Sequence, residues 1–266
     1  MIRETAPQIA PIPFVATDGI HNFRDYGGYG VTGGGRVRSG LLFRSGQHME
    51  ASDRDLEMLQ ALDVRTIIDL RGNSERTGFP CRRHDDFAAG VIAYDGETSN
   101  APPHEPTEAG AMTADKARDR MVAVYTRMPV NPPMIDLFTR YFAALDQQDG
   151  GSLVHCFAGK DRTGIAVSLL LHVLGVHRDD VVQEFLRTND APTIEVLERQ
   201  AMPRIEVNYG SISDEARHNL MGVLPEYIET YFAEIDRQHG SIDAYIAQSL
   251  GVDDARKARL IERLVA

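Results

Sequence analysis

One cysteine and one arginine stand six positions apart in the segment His155-Cys156-Phe157-Ala158-Gly159-Lys160-Asp161-Arg162-Thr163-Gly164. A short β-branched and apolar run, Ser152 to His155, leads into Cys156, and a run that is apolar on nearly every side, Ile165 to Leu174, follows. This order predicts a strand, a tight loop and a central buried helix. A loop that wraps back on itself before a helix start turns the backbone N–H groups of residues Phe157 to Arg162 inward, and the helix dipole adds positive potential. Such a nest binds an oxyanion without a large basic surface. It also favours the thiolate of Cys156, which makes that residue the expected nucleophile. Arg162 is the expected clamp, because a planar guanidinium can hold two phosphoryl oxygens at once. Gly159 suits a backbone conformation or a close approach that a side chain would hinder.

Three neighbours take supporting roles. Thr163 is placed to hydrogen-bond the cysteine sulfur when it leaves a phosphocysteine. His155 is expected to brace loop carbonyls rather than to move a proton. Asp161 is the first choice for the acid that protonates the leaving oxygen, since its place in the loop sets it beside the bound phosphate. Asp69, at the end of a predicted parallel strand where the active sites of such sheets gather, is the second choice. A pairing role for Asp69 with Arg71 or another arginine stands beside that reading. The region some thirty residues before the cysteine offers only Asp115 and Asp119, with no tryptophan anywhere in the chain.

The elements that must hold this loop are legible in outline. Ser52 followed by Asp55 signals a helix N-cap, with Leu56, Leu59 and Leu62 on one face. Val64 to Leu70 is a buried strand candidate. Leu224, Tyr227, Ile228, Tyr231, Phe232 and Ile235 recur at helical spacing up to Gly240, and Ser241 caps a further helix that ends at Gly251. The glycines between Gly27 and Gly35 suit turns between short strands. No Walker lysine follows them. Arg24 and Asp25 are expected to form a turn-stabilising ion pair. Residues 95 to 113, rich in proline, glycine and acids, are expected to be a mobile surface loop. Strands alternating with helices predict an α/β fold with a parallel-rich central sheet flanked by helices. Residues 1 to 20 read as an N-terminal arm, and 21 to 266 as a single domain.

Composition narrows the partners. Twenty-eight basic residues against thirty-nine acidic ones give a net charge of −11, which argues against nucleic acid and against adhesion to anionic membranes. No apolar run is long enough for an integral membrane segment, and the start carries no cleavable signal pattern. A cytoplasmic location is expected, or export without a cleaved signal. Cys81 and Cys156 are too few for a disulfide framework or a spaced zinc site, so no metal and no cofactor are expected, and Cys81 reads as an ordinary thiol.

HCFAGKDRTG resembles the active-site signature of the bacterial tyrosine and phosphoinositide phosphatases typified by mycobacterial protein tyrosine phosphatase B. NFRDYGG, LLFRSG, TIIDLR, EFLRTND and LPEYI with GSIDAYIAQSLGV follow in that family's order, over roughly residues 20 to 264. The resemblance implies a phosphatase domain acting on phosphotyrosine, often on phosphoserine and phosphothreonine, and in some members on phosphoinositides, with inorganic phosphate as product. It marks Lys160 and Asp161 as the loop residues associated with lipid substrates, with Lys160 turned to the pocket mouth to meet a second phosphate. It also implies a helical lid over residues 190 to 222. A catalytically silent phosphate-binding module is a weaker reading, because nucleophile and arginine are both present. A secreted, host-directed phosphatase would use the same chemistry.

Overall fold

The computed structural model describes residues 12–98, 112–147 and 150–266. The residues at 1–11 of the expected arm and 99–111 of the expected surface loop lie outside that description. Five strands form one sheet: β1 (Arg24–Asp25), β2 (Leu42–Ser45), β3 (Val64–Asp69), β4 (Gly90–Ala93) and β5 (Gly151–His155). Their order across the sheet is β1-β2-β5-β3-β4, with β1 antiparallel to β2 and the other pairings parallel. The fold is therefore α/β with a mostly parallel sheet, as the alternation of strands and helices predicts.

Eleven α-helices surround the sheet among the described residues. They are α1 (Asp53–Ala61), α2 (Asn73–Gly78), α3 (Ala114–Arg127), α4 (Pro132–Gln147), α5 (Asp161–Val173), α6 (Arg178–Leu186), α7 (Ile194–Tyr209), α8 (Asp214–Met221), α9 (Pro225–His239), α10 (Ile242–Ser249) and α11 (Asp254–Leu264).

The twofold alternation of side chains along a strand divides the core. Leu42, Ile68 and Val154 turn to one face and join Ile165, Leu169, Phe138, Tyr227 and Ile228 in the larger apolar cluster. Phe43, Ile67 and Leu153 turn to the other face and pack with Leu56, Phe23 and Ile20. Helix α5 lies in the larger cluster with residues buried on all sides, as its unbroken apolar sequence requires. At α1 the Ser52 hydroxyl accepts from the Asp55 amide at 3.1 Å, and the Asp55 carboxylate accepts from the Ser52 amide at 3.1 Å, a complete capping box. The same carboxylate accepts the amides of Asp18 and Gly19, so one aspartate ties the N-terminal segment to the helix start. Helix α9 ends at Gly240 in the left-handed region, and Ser241 caps α10, both at the expected places.

Arg24 and Asp25 do not pair with each other. Adjacent residues on a strand point to opposite faces. Arg24 is fully buried against Glu184, with Nε 2.9 Å from Oε1, while the Asp25 carboxylate accepts the amides of Gly27 at 2.7 Å and Gly40 at 2.5 Å.

Candidate active site

β5 delivers His155 to the C-terminal edge of the sheet, and α5 begins at Asp161. The chain between them turns on Gly159, whose φ is +65°. A Cβ there would lie 2.3 Å from the Ser45 carbonyl, so glycine is required both by conformation and by contact with the end of β2. The outer carbonyls of the loop are fixed. Gly159 O accepts from Asn22 Nδ2 at 2.9 Å and from Arg44 Nη2 at 2.7 Å, and Phe157 O accepts from the Gln47 amide at 2.9 Å. Arg44 and Arg24 are both held by the buried Glu184 of α6. With these two carbonyls held from outside and the first-turn amides of α5 lacking intrahelical acceptors, the loop amides are left for an oxyanion. Cys156 sits at the base and is buried.

Arg162 enters from the first turn of α5 and is anchored by Glu75 of α2, with Nη1 2.6 Å from Oε2 and Nη2 2.7 Å from Oε1. Nη1 also donates to Leu70 O and to Thr98 Oγ1. Burial would lower the guanidinium pKa, but Glu75 outweighs it, and Arg162 is held firmly charged. The end-on edge of the guanidinium is thus taken. The side-on edge, Nε with the outer N–H of Nη2, is the one that can hold two oxygens of an oxyanion. Glu75 was missed from sequence. Its only signal is its place as the third residue of a helix that follows TIIDLR, with the backbone amide of Gly72 on its Oε2 at 3.2 Å.

Asp161 and Lys160 lie side by side at the start of α5. Asp161 Oδ1 accepts from the hydroxyl of Tyr125 on α3 at 2.8 Å, and Oδ2 lies 3.5 Å from Lys160 Nζ. Tyr125 is fully buried, stacked on Tyr227, and burial pushes its own pKa well up, so it serves as a donor that fixes the carboxylate. Asp115 and Asp119, on the same helix, are exposed. Lys160 departs from expectation. It is 3% exposed and donates to the carbonyl of Leu220, near the end of α8, rather than facing an open pocket mouth. The last carbonyls of a helix lack intrahelical donors and carry negative potential, which is why the ammonium turns there. Helices α7 and α8 thus fall within 190 to 222, and α8 touches the loop through this lysine.

Asp69 ends β3 beside His155, but its oxygens are occupied by Arg71, at 2.8 Å to Nε and 2.7 Å to Nη2. Burial would raise the Asp69 pKa, yet His155 and Arg71 bring it down to about 2. Burial pushes His155 down to about 4, so at neutral pH the ring is uncharged and Arg71 is what keeps Asp69 ionised. This is the pairing role that the sequence offers beside the catalytic one. His155 Nδ1 lies 3.4 Å from the Cys156 carbonyl, a bracing contact, and its ring stacks on His48 at 5.0 Å. Thr163 is fully buried, and its hydroxyl meets no hydrogen-bond partner among the described residues, the Cys156 sulfur included.

Cys81 joins this cluster and accepts from the His48 amide at 3.4 Å and from Arg71 Nη2 at 3.1 Å. Asp69, Cys81 and His155 bring one ligand-type atom each within 4.8 Å of one another. The Arg71 guanidinium already supplies a cation to the first two of them.

A sequence profile of the tyrosine phosphatase family matches residues 15–266. A Cupriavidus necator protein provisionally named a tyrosine-protein phosphatase is 34% identical, over 91% of this chain and 86% of its own length. The triple specificity protein phosphatase PtpB of Mycobacterium tuberculosis is 26% identical, over 91% of this chain and 95% of its own length. A tyrosine-protein phosphatase of Nostoc commune is 32% identical over half of this chain. Among the described residues, no helix is long and apolar enough to cross a membrane.

Proposed function

Since the chain belongs to the tyrosine phosphatase family, we propose that it hydrolyses phosphomonoesters through a phosphocysteine formed on Cys156, with phosphotyrosine as its first substrate. The observation that carries this reading is the placement of a buried cysteine at the start of a glycine-turned loop, at the N-terminus of a helix, with an arginine preset by Glu75.

In the first step the Cys156 thiolate attacks phosphorus in line with the ester oxygen. The P–O bond breaks as the S–P bond forms, and Asp161 gives its proton to the departing oxygen. In the second step water attacks phosphorus, Asp161 takes a proton from that water, and Cys156 leaves as thiolate. The loop amides and the side-on edge of Arg162 hold the equatorial oxygens throughout, where negative charge is shared in the transition state. Asp161 is favoured as the acid over Asp69 because its close hydrogen bond comes from a neutral hydroxyl and its ion-pair partner, Lys160, stands at 3.5 Å, whereas Arg71 takes both oxygens of Asp69 at 2.8 and 2.7 Å. Phe157, Ala158, Gly159, Lys160, Asp161 and Arg162 form the phosphate cradle, with His155 and Thr163 behind it.

Activity on phosphoserine, phosphothreonine and phosphoinositides belongs to this reading as its outer range. The relative named a triple specificity phosphatase supports that breadth. Lys160 can serve a second phosphate only after it leaves the Leu220 carbonyl. A panel assay of the purified chain against phosphotyrosine peptides, phosphoserine peptides and phosphoinositides tests the proposal. Hydrolysis of phosphotyrosine at least as fast as of the others is expected, and hydrolysis of none of them would overturn it.

A further inference from the structure

The sheet face opposite α5 carries a cavity far simpler than the loop. It opens between α1, β3 and the segment 82–89, and the space comes to about 650 Å³ when the open solvent at its mouth is counted in. Leu56, Leu59, Ile67, Leu153 and Phe87 form its apolar wall.

The charges around it are unequal. Arg65 is paired with Asp63 and Arg82 with Asp53, each at 2.7 Å. Arg83 is half-buried and meets no carboxylate among the described residues. Its Nη1 lies 2.9 Å from His48 Nδ1 and 3.2 Å from the Arg82 carbonyl, and its guanidinium stands 5.1 Å over the Phe87 ring. His48 is fully buried, and burial, followed by the charges of His155 and Arg83, holds its pKa well below the usual histidine range. The partners of Arg83 are therefore a neutral ring nitrogen, a carbonyl and an aromatic face. A partly desolvated cation without a counter-charge is costly, and an anion reaching it relieves that cost.

We propose that this cavity binds a small amphipathic carboxylate, an aryl or short acyl acid, whose apolar body lies against Leu56, Leu59 and Phe87 and whose carboxylate takes the guanidinium of Arg83. A single planar carboxylate matches the single fork that Arg83 offers. A phosphate dianion would carry a second charge into a half-buried site that has no second free cation among the described residues. The contact is also connected. Arg83 touches His48, His48 stacks on His155, and His155 precedes Cys156. A carboxylate that draws Arg83 away frees His48 Nδ1, and the ring resonances of His48 report it without any need for turnover.

The test is calorimetric titration of the full chain with octanoate, octanol and acetate, followed by NMR of the histidine rings. Octanoate should bind about tenfold or more tightly than octanol and acetate, the margin of one charge-assisted pair and one apolar body. It should shift the His48 resonances, and inorganic phosphate should not compete. Arg83→Gln should weaken octanoate by about tenfold and leave octanol unchanged. Arg83→Lys, which keeps the charge, should retain part of the preference and guards against a folding defect in the first variant. Equal binding of octanoate and octanol, unchanged affinity in Arg83→Gln, silent His48 signals at saturation, or displacement by phosphate would each overturn the proposal.

Discussion

Glu75 and Arg162 stand end to end, both carboxylate oxygens within 2.7 Å of the two terminal guanidinium nitrogens. The pair spans 87 residues of sequence and joins α2 to the first turn of α5. It decides which edge of Arg162 faces the loop. Glu75→Gln keeps the shape but removes the charge that orients the fork. A misplacement of about 1 Å can cost on the order of 100-fold in rate. We expect kcat/KM for p-nitrophenyl phosphate to fall by roughly 10- to 100-fold with the fold intact by circular dichroism. An unchanged value would show that Arg162 is oriented by Leu70 O and Thr98 alone.

Asp161 and Asp69 are separated by their partners, Tyr125 for one and Arg71 for the other. Asp161→Asn should lower kcat on alkyl and phenyl phosphates by about 10² to 10⁴ and much less on p-nitrophenyl phosphate, whose leaving group needs no proton. Asp69→Asn should show no such dependence on leaving-group pKa. The measurement is kcat across a leaving-group series, and a penalty that grows only in Asp69→Asn would assign the acid to Asp69.

The loop was legible because its chemistry is contiguous. Strand, cysteine, glycine, arginine and helix follow one another between Gly151 and Val173, and each has a local physical signature. The capping box at Ser52 and the Gly240 stop were legible for the same reason. What escaped is carried by contacts across the fold. Tyr125, Glu75 and Arg44 meet the loop or Arg162 across 36 to 115 residues of sequence, and Glu184 holds Arg44 across 140. No spacing rule reaches that far. Lys160 was misplaced because its partner is the end of another helix. Arg24 and Asp25 are neighbours in sequence, but strand geometry sends them to opposite faces.

Acid should destabilise the protein in two stages. His21 and His155 are both held down to about 4, first of all by burial. Below the ordinary histidine value of about 6.5 the unfolded chain takes up protons that the folded chain refuses, so stability falls as pH drops from there toward 4. Each histidine contributes up to about 1.4 kcal/mol per pH unit in that window. Asp69, held at about 2, gives stability that is present above the unfolded value near 4 and is lost as pH falls toward 2. Urea midpoints at pH 7, 5.5 and 4.5 should decline steadily. A flat profile between 7 and 5 would contradict the neutral buried rings.

Lys160 ties the loop to the end of α8 through the Leu220 carbonyl. Lys160→Ala should raise amide hydrogen exchange in 214–221, where that contact is lost, with little change in α5. It should also reduce phosphoinositide hydrolysis more than phosphotyrosine hydrolysis, since only a second phosphate calls on the ammonium. Equal losses on both substrates would assign Lys160 to the loop's structure alone.

Turnover and oxyanion binding by Cys156→Ser, measured side by side, test the central claim most directly. The amides of the loop and the anchored Arg162 do not depend on the sulfur, whereas covalent chemistry does. The account predicts that p-nitrophenyl phosphate turnover falls by about a thousandfold or more, while inorganic phosphate binds within a few-fold of the unaltered protein. Turnover within tenfold of the unaltered protein would show that Cys156 is not the nucleophile.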